Sequence, residues 1–231
     1  MSDSEPLPRT PPRMRALMAI PLVFAAVALV GALVVFRHLS VDRPASGARV
    51  VLTFAGACVP EARDVIYQRV DLIGLGQPDL ATQDGALVLT ATLPGLPDDD
   101  TAIPALLTRR GALRITAKDE ALATELDVAS ATVNLDTSGA PYASVKLIPS
   151  AAARITEALR AGEALDVTLD GALIVHQEGG DLEGDQLSLS PTEGDPRARM
   201  RQAADWAILL SSGALPCDLT VTSVAAPALP G

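Results

Sequence analysis

Charge disappears from the chain over residues 16–36, ALMAIPLVFAAVALVGALVVF, and nowhere else for so long. At about 1.5 Å per residue, these 21 residues would reach roughly 31 Å as a helix, the thickness of a bilayer's hydrocarbon core. Pro21 near the start is tolerated in a membrane helix. The pattern predicts a single N-terminal transmembrane helix. A cleaved signal peptide is the competing reading. The run exceeds the roughly 7–15 residues of a signal h-region, and no clean A-x-A site follows before Arg37, which favours an uncleaved anchor. Residues 1–15 are short, Pro-rich and unable to build a core, so a disordered tail is expected. Residues 37–48, RHLSVDRPASGA, have no periodicity and read as a linker.

Downstream, strand and helix periods alternate. ARVVLTFAGA, from Ala48, is a β-branched run ending near Gly56 and Cys58. A helix over 60–73 starts at Pro60, with Glu61 favourable at its N-terminus, and carries Val65, Ile66, Val70 and Ile73 on one face. Gly74 and Gly76 end it. Strands at 79–81 and 86–93 flank Asp84-Gly85, the dipeptide of a tight hairpin. A short helix over 101–110 and a strand over 112–116 complete the order β-α-β-β-α-β. A ferredoxin-like module has that order, and its first and last strands lie side by side. A second unit follows. Strands are expected at 129–135 and 142–148, a helix at 150–161, and strands at 165–169 and 172–175 about Asp170-Gly171. A short strand at 186–189 precedes a helix over 197–212. That helix is capped by Asp195, begun at Pro196, and has Ala203, Trp206, Ala207 and Leu210 as its buried stripe. A last strand spans 218–224, and the tail 225–231 cannot fold alone.

The 195 residues beyond the span suffice for one or two domains with real cores. They carry 15 basic and 26 acidic residues. Such an acidic balance excludes nucleic acid as a partner and gives no attraction to an anionic lipid surface. Phe54, Tyr67, Tyr142 and Trp206 are the aromatics there, too few for an aromatic-lined sugar or peptide groove. Flanking arginines tie in the positive-inside count, although Arg13 and Arg15 hug the span more closely than Arg43 and Arg49. A short cytoplasmic tail with the bulk outside is the arrangement expected. Sixteen Arg against two Lys, with abundant Ala, leans towards a GC-rich bacterium. The soluble part is then periplasmic and the anchor sits in the inner membrane.

Cys58 and Cys217 are the two cysteines. In an oxidising compartment an isolated pair reads as a disulfide, and two buried thiols are the alternative. With only His38 and His176 beside them, their spacing fits no structural zinc pattern, and no metal site is expected. His176 lies near Glu178, Ser188 and Ser190, but no nucleophile elbow such as G-x-S-x-G accompanies them, so no catalytic residue is assigned. EGGDLEGD, residues 178–185, departs from the calcium-loop pattern and reads as a solvated turn, as does the run 98–100. Gly74-x-Gly76 follows a helix rather than a strand and presents no phosphate site. No cofactor is implied.

Three stretches together resemble the first periplasmic domain of the SecD/SecDF protein-export membrane protein family. YQRVDLIGLGQPDL (67–80) is similar to that family's "RVxxxGVxEP" helix and turn. GALVLTATLPGL (85–96) is similar to "RIVVxLPGV", and RGALRI (110–115) falls at its "ATLEFR" strand. LDVTLDGALI (165–174) and AILLSSGALPCDLTV (207–221) are similar to "LAIVLDGxVxxAP" and "ALLLRSGALPAPLxV", with SGALP the most specific. The resemblance implies an α+β fold: a ferredoxin-like base over 49–118 and 214–224, with an inserted α+β head over 119–213. Cys58 and Cys217 would then staple the base where the chain re-enters it.

The chain departs from the family's pattern in two places. The family's "LGLDLRGG" stretch is replaced here by VDRPASGARV, and the chain stops at Gly231, before the family's further spans. The resemblance therefore implies a domain truncated after one span, without the family's proton pathway. Its expected role is non-enzymatic: accessory to protein export, with exported polypeptide or translocase subunits as partners. The alternative is an envelope scaffold that reuses the fold for an unrelated protein partner.

Overall fold

The computed structural model describes residues 49–92, 102–178 and 182–225. The span expected over 16–36, the tail before it, the linker 37–48, the acidic run 98–100 and the residues from 226 onward lie outside them. No helix among the described residues is long and apolar enough to cross a membrane.

In chain order the elements begin with β1 (Arg49–Ala55), α1 (Val59–Ile73), β2 (Gly76–Gln83), β3 (Ala86–Thr92), α2 (Ala102–Thr108), β4 (Leu113–Ala117) and β5 (Glu120–Thr124). After a 3-10 turn at Glu125–Asp127 come β6 (Val128–Leu135), β7 (Pro141–Leu147), α3 (Pro149–Arg160), β8 (Ala164–Leu169), β9 (Ala172–Glu178), β10 (Gln186–Leu189), α4 (Pro196–Ser212) and β11 (Thr220–Ala225). The strands form three sheets, ordered β11-β1-β3-β2, β5-β4-β8-β9 and β10-β7-β6. Every pairing is antiparallel. The architecture is mixed α+β.

The first sheet draws strands from both ends of the described chain. Alternation sets its buried face: Leu87, Leu89 and Ala91 of β3 point in, and Val88 and Thr90 between them do not. Leu52 and Phe54 of β1 join them against Val59, Ala62, Ile66 and Val70 of α1 and Leu107 of α2. Gly74 closes α1 in the left-handed region, with φ at 75°. Asp84-Gly85 forms the β2–β3 hairpin turn, with φ at 50° and 78°, the signature of a type I′ turn.

One expectation does not hold. The strand expected at 112–116 would close this sheet beside β1, but β4 pairs with β5 and β8, and β11 takes the place next to β1. The reason lies at Gly111. Its φ of +74° turns the chain away after α2. Leu113, Ile115 and Ala117 then enter a second core, with Leu165, Val167 and Leu169 of β8, Val145 and Leu147 of β7, Ile155 of α3, and Trp206 and Leu210 of α4. β5 and the 3-10 turn, which the hydrophobic pattern does not predict, complete that part. Glu120, Ala121 and Thr124 stay at least partly exposed, and Leu122 and Ala123 are adjacent buried residues, so β5 shows no clean alternation.

Two sheet edges are covered by side chains from helices. On β6, Ser211 Oγ of α4 accepts from Ala131 N–H at 3.0 Å and donates to Ala131 C=O at 2.7 Å. On β5, Arg154 Nε of α3 donates to the Leu122 carbonyl at 2.8 Å. Both devices remove open backbone groups that would template another strand.

Candidate functional site

The chain passes from the first sheet to the second core through residues 109–112 and returns through residues 212–217. Both crossings converge on Arg69, which is fully buried on α1. Its Nε donates to Ser212 Oγ at 3.1 Å. Nη1 donates to the carbonyls of Leu106 at 3.3 Å and Leu107 at 3.1 Å, and to that of Arg109. Nη2 donates to the carbonyls of Arg110 and Gly213, each at 3.1 Å. The planar fork of the guanidinium thus satisfies the last carbonyls of α2 and the end of α4 together. Burial pushes its pKa down to about 10, which the Arg109 charge reinforces and Asp170 opposes, so it remains charged at neutral pH. Leu215 N–H donates to the Arg110 carbonyl at 2.8 Å and ties the two crossings directly. A Cβ at residue 111 would stand 3.1 Å from Arg69 Nη2 and 3.3 Å from the Leu209 carbonyl, so the position favours glycine for φ and is tight for any side chain.

Cys58 and Cys217 meet at the start of α1. Cys58 occupies the N-cap position of α1, and a disulfide joins it to Cys217 with the Cα atoms 5.9 Å apart. Gly56 just before it abuts the returning chain: a Cβ there would lie 2.8 Å from the Asp218 carbonyl. α1 is thus fastened covalently at its start, and through Arg69 near its end, to the chain re-entering the first sheet.

Beside the crossings lies a groove of about 550 Å³ lined by Arg109, Arg110, Ala112, Asp170, Gly171 and Asp218. Asp170 holds it together. Its carboxylate accepts from Ala112 N–H at 2.9 Å and pairs with Arg109 Nε at 3.3 Å. Two cations and two carboxylates line it, which favours neither an anion nor a cation. A second groove, about 600 Å³, runs along α3 past Ala152, Thr156 and Arg160 to Asp185.

His176 sits on β9 directly across from Asp166 on β8, with Nδ1 to Oδ1 at 2.6 Å and Nε2 to Glu178 Oε1 at 3.7 Å. The hydrogen bond to Asp166 raises its pKa above the usual histidine value, with Glu178 adding to it. Ser188 lies in another sheet, on β10 opposite Ser144 of β7, so the structure does not bring it to His176. Of the acidic stretch 178–185, Asp185 pairs with Lys146 at 3.6 Å and its carbonyl accepts from Leu147 N–H at 2.9 Å, which makes that end part of a turn. Among the described residues no group of three His, Cys, Asp or Glu side chains is placed to hold a metal.

Arg69 escapes sequence reasoning, yet a signal exists. It falls three residues after Ile66 and seven after Ala62, on the stripe that α1 buries. A charged residue on such a stripe marks a structure that must supply acceptors.

No protein-family model matches the chain, and no curated protein matches it. Among solved structures, a crystal structure of SecDF in a super-membrane-facing form is similar over 88% of this chain and 34% of that one, at 20% identity and a TM-score of 0.63. A second, of a membrane component SecDF that enhances protein export, is similar over 76% of this chain and 98% of that one, at 22% identity and a TM-score of 0.57. The chain spans about a third of the length of the first. At these identities the likeness establishes the fold: this chain has the SecD-like fold that its sequence motifs resemble.

Three outcomes are expected. Arg69→Met leaves five carbonyls short of a donor and lowers the unfolding free energy by about 3–5 kcal/mol. Arg69→Lys recovers only part, because a point charge cannot serve both crossings. Urea unfolding followed by fluorescence of Trp206, the sole tryptophan, measures both, and a lysine variant as stable as the native chain would contradict the role of the fork. Thiol labelling of the unreduced, denatured chain should find no free thiol. Reduction should then lower stability by at most about 5 kcal/mol for the 159-residue separation, and two labelled thiols before reduction would refute the bridge. Finally, His176 should titrate above about 6.5 by NMR, and Asp166→Asn should bring the midpoint down. Because its folded pKa is raised, whatever it adds to stability is complete below about pH 6.5 and fades as pH rises through the raised value.

Proposed function

We propose that this chain is a non-enzymatic, membrane-anchored module accessory to protein export, which acts by binding exported polypeptide or the translocase. In this reading residues 16–36 tether it to the inner membrane with the N-terminus cytoplasmic and the bulk periplasmic. Residues 49–111 with 213–225 form a ferredoxin-like base, and residues 112–212 form the head. The boundaries shift from those implied by the motifs because β4 pairs with β5 and β8. The first sheet, counted along its own strands, has the order 4-1-3-2, which suits a base with the head inserted before its last strand.

The observation that carries the reading is the fold shared with SecDF over 88% of the chain. Fold alone does not fix function, so the test must identify partners. Leu126, 85% exposed in the 3-10 turn between β5 and β6, is a suitable place for a photo-crosslinking residue in the full chain in vivo. Mass spectrometry of the adducts should identify translocase subunits or secreted precursor chains. Adducts confined to one envelope protein unconnected with export would overturn the proposal in favour of a scaffold.

A further inference from the structure

β9 is treated differently from two of the other edges of the second core, β5 and β6. β5 has its Leu122 carbonyl taken by Arg154, and β6 has both backbone groups of Ala131 taken by Ser211. β9 pairs with β8 on one side and, among the described residues, has no strand on the other. The backbone groups of residues 172–176 that point away from β8 have no hydrogen-bond partner among the described residues. The strand, ALIVHQE, contains no proline, glycine or lysine, the residues that usually blunt an edge.

Its side chains add a pattern. The register shifts opposite Val167 and Thr168, and this bulge sends the consecutive residues Ile174 and Val175 against the core. No residue of the strand is fully buried, and Leu173 is 58% exposed. Towards its C-terminal end the exposed rim is acidic: Asp166 and Glu178 flank His176. His176 lies between the two carboxylates, and the cations of neighbouring strands and turns are engaged or set back. Arg109 pairs with Asp170, Lys118 pairs with Glu163 at 2.6 Å, and Arg114 stands on β4, beyond β8.

We infer that β9 is a docking edge for an extended polypeptide segment, apolar at alternate positions and basic at one end, which adds a fifth strand to the sheet β5-β4-β8-β9. An open row of N–H and C=O groups is matched only by another extended backbone, whose hydrogen bonds are independent of sequence. Leu173 supplies an apolar contact, and Glu178 and Asp166 select Lys or Arg over Asp or Glu in the incoming strand. The inference rests on the proposed export role and names the surface and the chemistry through which a client would bind.

The probe is a fluorescent peptide of alternating Val and Lys, with a Val and Glu counterpart, titrated into the detergent-solubilised full chain and read by anisotropy. Amide hydrogen exchange maps the contact. The lysine peptide should bind and protect the amides of residues 172–176, and the glutamate peptide should bind at least tenfold more weakly. Leu173→Lys, at an exposed position, should weaken binding at least tenfold. Glu178→Lys, also exposed, should reverse the preference between peptides. Absence of binding, protection centred on another edge, or affinities unchanged in both variants would overturn the inference. The two readings fail separately. Peptide docking on β9 with crosslinks from Leu126 only to an unrelated envelope protein removes the export role. Export clients crosslinked in vivo with no protection of β9 remove the docking edge.

Discussion

The guanidinium of Arg69 is the point on which both parts of the described chain depend. Burying an arginine is costly unless its donors are all matched, and here the matching groups come from two crossings more than 100 residues apart in sequence, 106–110 and 212–213. Its partners are neutral backbone carbonyls and a hydroxyl. The favourable energy is therefore that of charge-assisted hydrogen bonds, and the carbonyls it serves sit at helix ends where they lack intrahelical donors. Removing the cation would strand those acceptors as well as lose the bonds. Gly111 belongs to the same constraint, since a Cβ there would crowd the guanidinium and the Leu209 carbonyl, and its φ of +74° is one that other residues rarely adopt.

With Cys58 bonded to Cys217, α1 becomes a splint. One end is joined covalently to the returning chain, and the other holds the outgoing and returning segments in a single hydrogen-bonded fork. The disulfide works mainly by limiting the unfolded chain, whereas the arginine works in the folded state alone. The two are complementary. A discontinuous sheet whose last strand arrives after a long insertion must close a long loop, and that entropy cost is met where the chain re-enters. Any movement of the second core relative to the first sheet has to pivot on these crossings, because β4 and β11 leave from either side of them.

Much of this is legible from local pattern. The two Asp-Gly hairpins, the Pro60 start and Gly74 stop of α1, and the Asp195 cap of α4, whose carboxylate accepts from Ala198 N–H at 2.8 Å, all follow from backbone chemistry within a few residues. So does the Trp206 stripe. What local pattern cannot supply is partnership. β4 alternates as well as a strand of the first sheet would, and what places it elsewhere is its pairing with β5 and β8, which lie later in the chain. β5 lacks alternation because helix α3 covers its edge and part of its face. Arg69 looks like one more surface arginine until its acceptors, distant in sequence, are in place. His176 and Ser188, near in sequence, fall into different sheets.

The chemistry left on the surface points one way. The first groove is lined by mixed charges, of which Arg109 and Asp170 pair, and Ser188 lies in a different sheet from the histidine–carboxylate pair. Among the described residues, what stays open is backbone on β9. Proteins close strand edges with Lys, Pro or covering groups because an open one recruits other chains. This protein covers one position on each of β5 and β6 with Arg154 and Ser211, and no such side chain covers β9 among the described residues. An open edge beside an acidic rim, on a chain that repels anionic surfaces, admits extended and basic segments and rejects most folded acidic proteins. An unfolded polypeptide is the commonest object of that description, and it is the partner that the proposed docking edge would take.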